Sequence, residues 1–114
     1  MKYDLEQRSA AFAKEIRLFV KRLANTVSNE EDSRQLIRAS GSVGANYLEA
    51  NNSLSKKDFL MRIKICRKEA AECRYWLGLL DLTSTKHLIT QQEHLIKESG
   101  ELTRIFGAIL RNSQ

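Results

Sequence analysis

Apolar residues recur every three or four positions along nearly the whole chain, which is the period of a helix with one buried face. Four such stretches follow one another. The first runs from about Asp4 to Val27, with Phe12, Ile16, Phe19, Leu23 and Val27 in one stripe and Val20 beside it. Arg8, Lys14, Arg17, Lys21 and Arg22 lie largely off that stripe. The second runs from about Asn29 to Ala50 on a seam of Leu36, Ser40, Val43 and Tyr47, flanked by Ile37, Gly44 and Leu48. The third reaches about Leu82 and repeats Phe59, Ile63, Cys66, Ala70, Cys73, Leu77 and Leu80 at four-three spacing, the seam of a bundle helix. A second, mixed stripe on it holds Arg62, Ile65, Glu69, Glu72 and Trp76. The fourth carries Leu95, Leu102, Ile105, Phe106, Ile109 and Leu110, with Gly100 and Gly107 permitting close contact on one side.

Each stretch opens on a capping pair three residues apart: Asp4 with Gln7, Ser28 with Glu31, Ser55 with Asp58, and Thr90 with Glu93. Asn51-Asn52-Ser53 predicts a turn in which Asn supplies left-handed geometry, and Thr83 to Ile89 predicts the last loop. Long helices joined by short connections pack antiparallel to their neighbours. The expected fold is therefore all-α: an antiparallel up-down-up-down four-helix bundle, one domain over residues 1–114.

The stretch Gln35 to Glu49 stands apart. Its centre is small: Ala39, Ser40, Gly41, Ser42, Gly44 and Ala45. Glycine inside a helix costs roughly 1 kcal/mol against alanine, so something is expected to approach this backbone closely. Arg38, Ser42 and Asn46, with Gln35 above and Glu49 below, fall on one polar stripe, since residues three and four apart share a face. Facing it, Glu69 and Glu72 sit on the mixed stripe of the third helix. A buried arginine needs a carboxylate, so these seven residues predict a polar network with Arg38 largely buried and paired with Glu69 or Glu72.

The rest of the chemistry is sparse. A di-metal bundle needs two Glu-x-x-His motifs, and here His94 has Gln91 three residues before it. His87 and His94 lack a third ligand at suitable spacing and are expected to be solvated. Cys66 and Cys73 lie ~10 Å apart along one helix at 1.5 Å per residue, too far for a mutual disulfide, so two buried thiols in a reducing compartment are expected. No nucleophile elbow supports a Ser-His-Asp triad. Tyr75 and Trp76 fit core or subunit-contact anchors. No catalytic, metal or cofactor residues are therefore assigned, and no small-molecule substrate is identified.

The 114 residues contain no proline and carry a net charge of +5. No run approaches the ~20 apolar residues of a membrane span, and the N-terminus lacks a signal-peptide core, so a cytoplasmic protein is expected. Between Lys56 and Arg74, seven basic residues face Asp58, Glu69 and Glu72.

The run RQLIRASGSVGANYLEANNSLSKKDFLMRIKICRKEAAECRYWLGLL carries a resemblance. Gln35, Arg38, Ser42, Ala45-Asn46, Glu49, Ser55 and Phe59, then Lys68-Glu69-Ala70, Glu72 and Tyr75-Trp76-Leu77, resemble the pattern of the 23S rRNA intervening-sequence (S23) protein family. Val43 and Tyr47 depart mildly, since many members carry Ile at both places. The resemblance covers most of the chain. It implies a bacterial four-helix bundle that assembles as a ring of five and has no attached enzymatic activity. The family is also similar to the accessory variability protein of diversity-generating retroelements, a basic pentameric barrel that binds nucleic acid.

In such a ring the basic patch recurs, and five copies at +5 each put +25 on one particle. That favours a polyanion such as RNA or DNA. Arg17, Lys21, Lys64, Arg67 and Lys68 are the residues expected to meet phosphates. No recognisable base-reading module is present, so sequence-specific readout is not expected. The expected function is a non-enzymatic homo-oligomer that binds nucleic acid or a nucleic-acid-processing partner. The alternative is a scaffold for protein partners alone.

Overall fold

The structure, a computed structural model, describes residues 4–113. It contains four α-helices: α1 Leu5–Val20, α2 Val27–Asn51, α3 Lys56–Leu79 and α4 Ile89–Ser113. A 3-10 turn, Lys86–Leu88, leads directly into α4. The predicted seams are largely buried: Phe12, Ile16 and Phe19 from α1, Leu36 and Val43 from α2, Ile63, Cys66, Ala70, Cys73 and Leu77 from α3, and Leu95, Leu102 and Phe106 from α4 share one core. Tyr47 meets Phe106 edge-on across that core, with ring centroids 5.8 Å apart.

Pairs between helix ends show the antiparallel order. Asn51, ending α2, donates to Glu6 at the start of α1, and Arg22, after α1, donates to Gln91 at the start of α4. Asn29 at the start of α2 meets Asp81 beyond the end of α3. The bundle is thus up-down-up-down. α2 packs along α3 and α3 along α4, while α1 packs on α2, touches α4 lightly and does not reach α3.

Two predicted caps hold. Asp4 Oδ1 accepts the Gln7 amide at 2.8 Å, and Ser55 Oγ accepts the Asp58 amide at 3.1 Å. The other two do not. Thr26, not Ser28, caps α2 by accepting the Asn29 amide. α1 therefore ends seven residues before Val27, which opens α2 and is 82% exposed. The break is fixed from afar: the Asn29 side chain donates to the Ala24 carbonyl at 3.1 Å and to the Asp81 carbonyl at 3.0 Å. Thr90 lies inside α4, because the 3-10 turn already supplies the helix start.

α3 ends at Leu79, three residues early, although Leu80 and Leu82 stay buried beyond it. The amide and hydroxyl of Thr83 both donate to Asp81 Oδ1, which holds that carboxyl below its usual range. The α2–α3 turn needs no left-handed residue: Asn52 sits at φ −104°, and no described residue has positive φ.

The small-residue centre of α2 does receive a neighbour. A Cβ on Gly44 would stand 3.4 Å from Ser9 Cβ, and one on Gly41 would stand 3.3 Å from an Arg17 guanidinium nitrogen. α1 is the element that comes close. Gly100 and Gly107 do not admit another backbone; arginine side chains lie over them instead.

Candidate functional site

The polar stripes of α2 and α3 do face each other. Arg38 Nη1 lies 3.4 Å from Glu69 Oε2, and Arg38 Nη2 lies 3.6 Å from Glu72 Oε1. Ser42 Oγ donates to Glu69 Oε2 at 3.4 Å. Asn46 Nδ2 donates to the Ser42 carbonyl and hydroxyl, both at 2.9 Å, while its Oδ1 accepts from Arg62 at 2.9 Å. The spacing of Arg62 puts it on the mixed stripe, but nothing local in the sequence signals its bond to Asn46, sixteen residues back.

Three expectations are corrected. Arg38 is not buried: its side chain is 54% exposed. It lies at the rim of the α2–α3 seam and reaches inward, as long cationic side chains do. Gln35 and Glu49 are exposed and form no side-chain hydrogen bond with the cluster among the described residues. They sit at the two ends of the stripe, one turn beyond the residues that meet Glu69 and Arg62. The buried member is Glu69, whose Oε1 has no hydrogen-bond partner among the described residues.

Cys73 lies beneath this cluster. Burial first, then the charges of Glu69 and Glu72, pushes its thiol up to about 12. Burial likewise raises Cys66 to about 12, and its Sγ donates to the Val43 carbonyl at 3.4 Å. At neutral pH both therefore stay protonated, which suits packing rather than nucleophilic chemistry.

A second polar joint escaped the sequence. Arg8 of α1 donates through Nε and Nη2 to Glu98 at 2.8 and 2.7 Å and through Nη2 to Glu101 at 3.0 Å. These bonds raise the guanidinium pKa further. Ninety residues separate the partners, so no spacing could reveal them. Beside them runs an open groove of about 500 Å³ between α1 and α4, floored by Leu5, Ala11, Phe12 and Ile105. His94 Nε2 lies 3.5 Å from Glu15 across it, and His94 is exposed as expected. Among the described residues, no three His, Cys, Asp or Glu side chains are placed to hold a metal, and no helix is long and apolar enough to cross a membrane.

The five predicted phosphate-contacting residues are all exposed, but they do not form one surface within a chain. Lys64 and Lys68 lie on the outer side of α3, with exposed Arg67 beside them toward α4. Arg17 of α1 and Lys21, just past its end, lie diagonally across the bundle, and Arg17 donates to the Ala13 carbonyl. Lys57 and Tyr75 extend the α3 face, seven residues from Lys64 and Lys68 respectively, and both are exposed. Among the described residues none of Lys64, Arg67 and Lys68 enters an ion pair.

No curated protein sequence matches the chain. A crystal structure at 1.70 Å of a protein with unknown function from the S23 ribosomal protein family of Bacteroides thetaiotaomicron VPI-5482 is similar throughout. It shares 32% identity, covers 93% of this chain and 94% of its own, and superposes with a TM-score of 0.77. The family model for the 23S rRNA-intervening sequence protein matches residues 1–108. With that match covering α1 to α3 and most of α4, and with 32% identity to the structure from the S23 ribosomal protein family, the chain belongs to the 23S rRNA-intervening sequence protein family.

Proposed function

We propose that this protein is a non-enzymatic, homo-oligomeric bundle, pentameric as the resemblance implies, that binds nucleic acid or a nucleic-acid-processing partner through basic faces. The observation that carries the reading is the sorting of charge on α3. Glu69 and Glu72 turn toward α2 and meet Arg38, whereas Lys64, Arg67 and Lys68 are exposed and, among the described residues, have no carboxylate partner. Unpaired cations gathered on one helix face attract polyanions, and repetition around a ring lets weak contacts add. Arg17 and Lys21 would join them as a second, separate basic face on each subunit.

Assembly draws support from apolar exposure at two places. Leu48, Leu54 and Met61 are exposed near the α2–α3 turn, and Tyr75, Leu79 and Ile89 near the α3–α4 connection. Two different patches on one chain suit a head-to-tail interface, the kind that closes into a ring. The same residues favour the alternative, a scaffold that holds protein partners only.

Light scattering tests assembly: a mass near five times 13.1 kDa is expected, and a clean monomer at micromolar concentration refutes the ring. Titration of labelled RNA and DNA in about 50 mM salt tests binding, with a log–log salt slope of ~0.7 to 0.9 per neutralised phosphate expected. Absence of binding by the intact oligomer leaves the protein scaffold as the function.

A further inference from the structure

Charge is also sorted across α4. Its flank toward α1 carries Glu98 and Glu101, both held by Arg8. Its flank toward α3 carries the small residues Gly100 and Gly107, bordered by exposed Lys97, Arg104 and Arg111. A Cβ on Gly107 would lie 3.8 Å from Arg67 Cδ and 3.5 Å from Arg111 Nη1, and one on Gly100 would lie 3.7 Å from Arg104 Nη1. Arg67 of α3 and Arg104 and Arg111 of α4 therefore lie against the glycine flank of α4 while remaining exposed to solvent.

The register of the seam orders them. Arg67 is level with Gly107, and Gln92 Nε2 donates to the Leu77 carbonyl at 2.8 Å. Because α3 and α4 run antiparallel, counting seven residues along each helix from the Arg67–Gly107 level puts Arg74 at the level of Gly100. Followed along the seam, Lys97, Arg74, Arg104, Arg67 and Arg111 come alternately from the two helices. Successive members are three or four residues apart in height, or ~5 Å at 1.5 Å per residue. None enters an ion pair among the described residues, and Glu93, exposed on α4, lies at the Lys97 end of the row.

We propose that the α3/α4 seam is a track for a single phosphodiester strand, held chiefly by Arg67, Arg74, Arg104 and Arg111. The proposal rests on the polyanion-binding reading above and gives it a site and a ligand form. A single row of closely spaced cations follows the backbone of one strand, as positively charged grooves in single-strand binders do. Guanidinium groups meet phosphate oxygens two at a time, which favours arginine over lysine in such a row. The residues between the cations are Ala71, Gly100, Thr103 and Gly107, none of them aromatic, while the exposed Tyr75 flanks Arg74 to one side of the row. The track therefore takes RNA and DNA alike and ignores sequence.

The test is fluorescence anisotropy with labelled single-stranded DNA and RNA and a duplex of equal length, on the intact oligomer. Arg104→Gln/Arg111→Gln is compared with the charge-matched control Lys14→Gln/Lys86→Gln. At about 50 mM salt the arginine pair should weaken single-strand binding by roughly tenfold and lower the salt slope by ~1.4, whereas the control shifts affinity by no more than about twofold. Circular dichroism and light scattering should show all three proteins equally folded and assembled. Wild-type affinity and slope in the arginine variant overturn the track while leaving polyanion binding intact. A wild-type preference for duplex overturns the single-strand form. No binding by the wild type removes the polyanion reading and the track together.

Discussion

Arg8 and Arg38 each join one helix to two glutamates on another, yet the joints differ. Arg8 holds Glu98 with two short bonds and Glu101 with a third, all within 2.7 to 3.0 Å, and its side chain is 29% exposed. Arg38 stands 3.4 and 3.6 Å from its partners and is 54% exposed. The packing beneath explains the contrast. At the α2–α3 seam Leu36, Val43, Ile63, Cys66 and Ala70 already close the interface, so the arginine is left at the rim. At the α1–α4 seam the helices stand apart over an open groove, and a charged bridge spans what apolar contact does not. Ion-pair geometry here follows from where hydrophobic packing is thin.

The comparison can be broken most forcefully from its apolar side. Phe12 is the buried anchor of α1 beside the groove, and Phe12→Ala should cost ~3–5 kcal/mol in denaturant unfolding, with amides of α1 exchanging first. A loss under 1 kcal/mol would mean that α1 is not held by its core face. Next comes the bridge itself. Arg8→Ala leaves Glu98 and Glu101 one turn apart and unneutralised, and should cost ~2 kcal/mol.

Alkaline titration sharpens the other seam. Burial raises Cys73 from 9.0 to about 12, so the folded chain keeps a proton that the unfolded chain releases. That stability is fully present below pH 9.0 and declines as pH rises toward 12, by up to ~1.4 kcal/mol per pH unit. Cys73→Ala should flatten the alkaline limb of the stability curve relative to wild type; parallel limbs would show that the seam admits solvent. Smallest is Arg38→Ala. More than half exposed and screened, the pair should contribute ~1 kcal/mol, and a loss greater than that of Arg8→Ala would reverse the ordering of the two joints.

What the sequence revealed and what it hid divide along the same physical line. The seams of α2, α3 and α4 are legible because each is a local, three-to-four-residue repeat. So is the facing of Arg38 on Glu69 and Glu72, since each stripe is local and antiparallel packing brings the two together. The depth of Arg38 was not, because spacing gives the direction of a side chain and not the distance of its head from the rim. Arg8 with Glu98, and Asn29 with Asp81, are joined across 90 and 52 residues, and no periodicity encodes such partners. The early end of α1 was missed for the same reason: Val27 continues the heptad by number, but Thr26 caps a new helix there.

Asn29 has a wider consequence. Its one amide group joins the backbone after α1, at Ala24, to the backbone after α3, at Asp81, through three hydrogen bonds. The two connections at that end of the bundle therefore behave as a single knot. Extra residues spliced near Ala24 or near Asp81 would strain the same knot, so a change of length in one connection is felt in the other. The α2–α3 turn at the opposite end, with Leu54 wholly exposed at its tip, has no bond to a second connection among the described residues, only that of Asn51 to Glu6 at the start of α1, so lengthening it beyond Asn51 should leave the knot undisturbed.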